Sequence, residues 1–170
     1  MQILMMIERI FKCKGAILKF IGDGMMVAFG LPKPDKNDAE RALCCAIGLQ
    51  NEVKMLQQSM KKEERIKIAI GMHSGDVVLG NVGNNKRLDF TIIGDAVNIA
   101  ARLADIARAT EILASEGTLA KLPSDTFKTE YVEDIIPRGM TKKIHYYRLA
   151  DENVAKLMNG EICSKIDCNQ

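Results

Sequence analysis

Several features that would place a chain at a glance are absent from this sequence. No apolar run approaches the roughly 20 residues that a membrane-crossing helix needs. Lys and Arg are not clustered: the formal net charge is +2 and the basic residues are spread along the chain, so no nucleic-acid surface is expected. No two cysteines form a C-x-x-C pair, and His73 and His145 stand alone, which leaves a zinc site without ligand spacing. The stretch from Gly80 to Lys86 lacks the Gly-x-x-x-x-Gly-Lys-Ser/Thr pattern of a phosphate-binding loop. There are no internal repeats and no linker-like segment, so a single domain is expected. The N-terminal Met1-Gln2-Ile3-Leu4-Met5-Met6-Ile7 has no basic start and no small-residue cleavage site, and Glu8 and Arg9 interrupt it; it does not read as a secretory signal. The expected location is the cytoplasm, with membrane attachment of a longer parent chain left open.

What is present is ordinary globular usage. Across 170 residues, 47% are apolar and 27% charged, enough to bury a core and too apolar for long disorder. Five cysteines are an odd number, and Cys44 and Cys45 are adjacent inside a helical pattern. Buried free thiols in a reducing compartment are therefore expected.

Periodicity orders the chain. Residues 3–13 read as the end of an amphipathic helix with Ile3, Ile7, Ile10 and Phe11 on one face, stopped at Gly15. Two apolar stretches, 16–21 and 25–29, flank Gly22-Asp23-Gly24, a hairpin signal that puts Asp23 at a tight turn. After Pro32 and Pro34, Asn37 with Glu40 resembles a capping box opening a helix that runs to about residue 60. Period-two apolar residues at 66, 68, 70 and 72 predict a strand, followed by strands at 77–82 and 88–93. Gly94-Asp95 opens a second long helix through Ile106; strands are expected at 112–114, 131–136 and 143–149. Residues 151–170 read as a polar tail or short helix.

Three segments carry chemistry: Lys19–Gly30, opening with Lys19-Phe20-Ile21-Gly22-Asp23-Gly24; Gly71–Gly83, opening with Gly71-Met72-His73-Ser74-Gly75-Asp76-Val77; and Thr91-Ile92-Ile93-Gly94-Asp95-Ala96-Val97-Asn98-Ile99-Ala100-Ala101-Arg102-Leu103. In this order they closely resemble the class III adenylate and guanylate cyclase catalytic domain, over residues 1–150, with 151–170 left as a tail. The resemblance implies an α+β, ferredoxin-like βαββαβ domain with helices on one sheet face. It also implies conversion of ATP to cyclic AMP and pyrophosphate, with Mg2+ or Mn2+ as cofactor and a homodimer or heterodimer as the working form.

The residues suit that chemistry. Cyclisation requires the ribose 3′-hydroxyl to attack the α-phosphorus as pyrophosphate leaves, which divalent cations assist at the nucleophile and at the leaving oxygens. Asp23 offers a hard oxygen ligand on a rigid turn; taken alone it also reads as an aspartate favoured in turns for backbone reasons. Asn98 and Arg102, four apart, share a helix face. A guanidinium suits phosphate oxygens and an amide can orient a ribose, although a solvated polar face would have the same pattern. By resemblance Lys19 and Thr91 are the base-selecting pair, and guanylate enzymes typically place Glu and Cys there. Lys with Thr is similar to the cyanobacterial and soluble-type subgroup, many of whose members respond to bicarbonate. Arg138 aligns with the family's triphosphate-binding lysine, and the hairpin around residues 83–88 with its dimer arm.

The family's first metal aspartate stands in a Phe-x-Asp-Ile-x-Gly-Phe segment on the first strand, tens of residues before Lys-x-x-Gly-Asp. Only 18 residues precede Lys19, and none matches. The resemblance therefore implies that the first strand and its aspartate lie outside this chain, that the chain alone is inactive, or that it serves as a noncatalytic partner completing an intact cyclase domain.

Overall fold

The structure, a computed structural model, describes residues 2–58, 60–84, 87–123, 126–136, 141 and 143–163. Helix α1 (Gln2–Lys12) leads into a hairpin of β1 (Ala16–Ile21) and β2 (Gly24–Ala28), and helix α2 (Asp38–Gln57) follows. After a 3-10 turn at Lys62–Glu64 come β3 (Ile70–Met72), a second hairpin of β4 (Val78–Asn84) and β5 (Arg87–Ile93), and helix α3 (Asp95–Ile106). Strand β6 (Ile112–Ser115), the single turn α4 (Glu116–Leu119), β7 (Thr129–Ile135), β8 (Ile144–Leu149) and α5 (Glu152–Met158) complete the order.

The described strands form three sheets. Two are the hairpins β1–β2 and β4–β5; the third is a four-stranded sheet in the order β3-β6-β8-β7, with β3 parallel to β6 and the other pairs antiparallel. Successive strand residues point to opposite faces. Accordingly Ile112 and Ala114 of β6 pack with Leu43, Ile47 and Leu149, while Leu113 packs with Ile99, Leu103 and Tyr146. The mixed α+β class is as expected; the helices do not keep to one sheet face as expected, because β6 is apolar in both directions and α3 packs with Leu113 while α2 packs with Ile112 and Ala114.

Helix α2 is buried on every side through its middle turns, from Leu43 to Gly48, because α1, α5 and the sheet core all pack around it. A helix apolar all round belongs inside a domain. Its start departs from the expected capping box. Asn37 makes no side-chain cap; instead the Asn37 amide donates to Asp35 Oδ1 (3.0 Å), the Asp35 amide to Asp38 Oδ2 (2.5 Å), and Arg41 pairs with Asp38. The two aspartates supply charged acceptors for the free amides, which an asparagine does less strongly.

The expected strand over 66–72 is laddered only at Ile70–Met72. Just before it, α2 satisfies carbonyls with side-chain amides: Gln50 Nε2 donates to Ile68 O (2.8 Å) and Gln57 Nε2 to Ile66 O.

The cysteine expectation needs correction. Cys44 and Cys163 form a disulfide with Cα atoms 6.0 Å apart, while Cys13 and Cys45 are buried free thiols. The cause is that residues 152–163 fold back onto α2, burying Leu157, Ile162 and Cys163. Asn153, 1% exposed, fastens that return: its Oδ1 accepts from the Lys128 amide (2.9 Å) and its Nδ2 donates to the Lys128 and Ala150 carbonyls (2.7 and 3.0 Å).

Candidate active site

Asp23 occupies the tip of the first hairpin. Ile21 pairs with Gly24, leaving Gly22 and Asp23 as a two-residue turn. Gly22 has φ 60° and Asp23 is not among the residues with positive φ, the pattern of a II′ turn, which calls for glycine in the first central position. The Asp23 carboxylate is exposed.

Lys19 lies on β1 opposite Met26, just after a register shift between Ile17 and Lys19. The extra residue, Leu18, breaks the alternation, so Lys19, Phe20 and Ile21 are all exposed. Bulges re-aim side chains in this way. Thr91 is half-buried on β5 opposite Gly80, and a Cβ at Gly80 would have nothing within 4 Å, so the ground across from Thr91 is open. Strand β1 lies against β5, which places Lys19 and Thr91 on neighbouring strands. Two residues past the end of β5, α3 begins, and from it Asn98 and Arg102 project into solvent while Ala96, Ile99 and Leu103 face the core. Arg138 lies outside the described residues.

Among the described residues, no hydrogen bond or ion pair engages the side chains of Lys19, Asp23, Asn98 or Arg102. Around them the hairpins expose large apolar side chains: Phe20 (55%) and Ile21 on β1, Phe90 (59%) and Ile93 on β5, and Val78 on β4. Polar groups without partners, bordered by open apolar surface, are suited to a ligand and a second protein surface.

A hard divalent cation suits Asp23 as one ligand, because its oxygens are exposed on a rigid turn. Among the described residues no group of three or more His, Cys, Asp or Glu side chains gathers, so Asp23 does not by itself make a complete metal site.

Sequence reading gave His73 no specific partner. Its Nδ1 lies 2.7 Å from Ser115 Oγ, which lies 3.2 Å from Thr118 Oγ1, and Ser115 is fully buried. Burial, with a smaller contribution from the Lys121 charge, holds the imidazole below its ordinary pKa. The polar Ser115 at the end of an otherwise apolar strand was the available signal.

A family model described as the adenylate and guanylate cyclase catalytic domain matches residues 4–151. The chain belongs to this family. As a cyclase domain it is 32% identical over 145 residues to the adenylate cyclase of Anabaena cylindrica, a match spanning 79% of this chain and 28% of that protein. Among solved structures it resembles the adenylyl cyclase CyaB from P. aeruginosa, with a TM-score of 0.79 and 32% identity, covering 88% of this chain and 79% of the other. The guanylyl cyclase Cya2 is similar too, with a TM-score of 0.79 and 27% identity over 88% of this chain and 76% of the other. The cyclase domain thus corresponds to less than a third of its Anabaena relative. Among the described residues no helix is long and apolar enough to cross a membrane.

Proposed function

We propose that this cyclase domain acts on ATP, forming 3′,5′-cyclic AMP and pyrophosphate at a site shared between two cyclase domains. The observation that carries this reading is the set of free polar side chains on adjoining elements: Lys19 on β1, Thr91 on β5, and Asn98 with Arg102 on α3. Lys19 donates to the adenine ring nitrogen and Thr91 serves the exocyclic amine. Asn98 orients the ribose so that its 3′-hydroxyl faces the α-phosphorus, and Arg102 stabilises the charge that builds on the phosphoryl oxygens. Asp23 would hold Mg2+ or Mn2+, and a cation bound there supplies charge neutralisation at the phosphates. The two-metal form of this reaction needs a further carboxylate beside Asp23. That group is assigned to another segment or to the partner domain, so this chain alone is expected to be inactive. Arg138 is assigned to the triphosphate, and bicarbonate is a candidate effector.

Exposed Phe20, Ile21, Phe90 and Ile93 support a paired state, because an open apolar patch of this kind is covered when two domains meet. A second reading, a noncatalytic partner, rests on the same surface and on the lack, among the described residues, of a group of three or more His, Cys, Asp or Glu side chains to complete a metal site.

One assay tests both. Cyclic AMP formation is measured with Mg2+ or Mn2+ for the chain alone and for the chain mixed with an intact cyclase domain whose own base-reading pair has been substituted. Turnover only in the mixture supports the shared site; turnover by the chain alone refutes the assignment of the missing carboxylate elsewhere. GTP run in parallel overturns the adenine assignment if it is preferred.

A further inference from the structure

Helix α3 is seated on the sheet through glycines. At Gly71, in the middle of β3, an added Cβ would lie 2.1 Å from Ala104 N, 2.4 Å from Ala100 O and 2.7 Å from Leu103 C, all backbone atoms of α3. Ordinary contact begins near 3.4 Å, so even one methyl group would push the helix by roughly an ångström. At Gly75, in the turn after β3, a Cβ would meet Ala96 Cβ at 2.9 Å and His73 Nε2 at 3.3 Å. At Gly94, directly before α3, it would meet Asp76 O at 2.8 Å.

The wall behind the turn is firm. His73 is held by Ser115, and Ser115 by Thr118, both of them buried. An added Cβ at Gly75 would crowd both the held ring and Ala96, so a side chain there presses on α3. Arg102 sits between Ala100 and Leu103, two of the three α3 residues that abut Gly71, and Asn98 lies two residues after the one that abuts Gly75.

We propose that Gly71 and Gly75 are positioning residues for Asn98 and Arg102: the missing side chains set the depth at which α3 rests on β3, and with it the placement of both polar groups. The inference rests on the reading that Asn98 and Arg102 act on the nucleotide. It gives a physical purpose to the Gly71-Met72-His73-Ser74-Gly75 segment.

The test uses Gly71→Ala, Gly75→Ala, Ala96→Gly and the double variants Gly75→Ala/Ala96→Gly and Gly71→Ala/Ala96→Gly in the full chain. Each is assayed in the mixture with an intact cyclase domain described above. In the chain alone, the Asn98 side-chain amide resonance is followed by NMR, assigned by its loss in Asn98→Asp. Gly75→Ala should lower kcat about tenfold or more with KM changed less than about twofold, as for a group moved off its transition-state position. Removing the Ala96 Cβ should restore kcat to within about threefold and return the Asn98 resonance, because the clash is between those two atoms. Gly71→Ala should lose more, up to about a hundredfold, and Ala96→Gly should not rescue it, since its collision is with backbone. If Gly71→Ala does not fold, the Gly75 and Ala96 pair decides alone. A Gly75→Ala variant with wild-type kcat and an unmoved Asn98 resonance overturns the proposal, as does a Gly75→Ala/Ala96→Gly variant no better than the single. If the unsubstituted mixture forms no cyclic nucleotide, the functional reading fails, and the Asn98 resonance in the single and double variants still decides the positioning.

Discussion

Across the β7–β8 ladder, His145 Nδ1 lies 2.5 Å from Asp134 Oδ1. The same oxygen accepts from the Tyr131 hydroxyl at 2.7 Å, and Lys143 Nζ lies 3.8 Å from Asp134 Oδ2. The Tyr131 bond, then the His145 bond, holds the Asp134 carboxyl below its ordinary range, and in return Asp134 pushes the Tyr131 hydroxyl up to about 12.

These shifts have opposite pH consequences. The Asp134 pKa is depressed, so its contribution to stability is present above the ordinary carboxylate value and is lost as pH falls through the folded one. The Tyr131 pKa is raised, so its contribution is present below about 10 and is lost as pH rises through about 12. Asp134→Asn should bring the Tyr131 transition back toward about 10, read by tyrosinate absorbance with Tyr131→Phe as the subtraction control. A transition that stays near about 12 would contradict the assigned cause.

His73 predicts a second pH effect. Between its depressed folded value and the ordinary 6.5, the unfolded chain takes up a proton that the folded chain excludes. Stability should therefore be complete above about 6.5 and fall as pH drops toward the folded value. Urea denaturation of the wild type and His73→Gln at about pH 7 and about pH 5 reads this, and the substituted protein should show the smaller decline.

Disulfide bonding between Cys44 and Cys163 is directly testable. Unfolded without reductant and alkylated, Cys13 and Cys45 should label while Cys44 and Cys163 do not. Reduction should then cost about 2–4 kcal/mol of unfolding free energy, the usual range when a long loop is released. Labelling of Cys44 without reductant would reject the pairing.

Base selection yields the fourth prediction. Lys19→Glu with Thr91→Cys should shift the ATP-to-GTP ratio of kcat/KM toward GTP by roughly tenfold or more, since each mispaired hydrogen bond in a closed site costs about 1–3 kcal/mol. The measurement is made in the mixed assembly. An unchanged ratio would remove both residues from the base-reading role.

Much of this fold was legible because local chemistry dictated it. Gly22-Asp23-Gly24 between apolar runs could hardly be anything but a hairpin, and the 3.6-residue period from Val97 to Ile106 placed α3 with Asn98 and Arg102 on its polar side. What escaped depended on partners distant in sequence. The bulge at Leu18 follows from the register against β2, and no property of Leu18 signals it. The Asp35–Asp38–Arg41 cluster outcompetes Asn37 through charge that pattern reading does not weigh. Cys163 meets Cys44 only because Asn153 turns the chain back at Lys128. The placement of α3 through Gly71 and Gly75 was invisible for a similar reason: a glycine in a strand does not announce which backbone will approach it.

The core that α2 organises also joins the far reaches of the chain, since Ile10 from α1 packs in the same cluster as Leu157 from α5. During synthesis α1 emerges before α5 and must wait for it before that cluster can close. At about 5–20 residues per second the delay is on the order of ten seconds. For that interval α1 and α2 carry apolar faces that α5 completes, so the cluster closes only after α5 has been made.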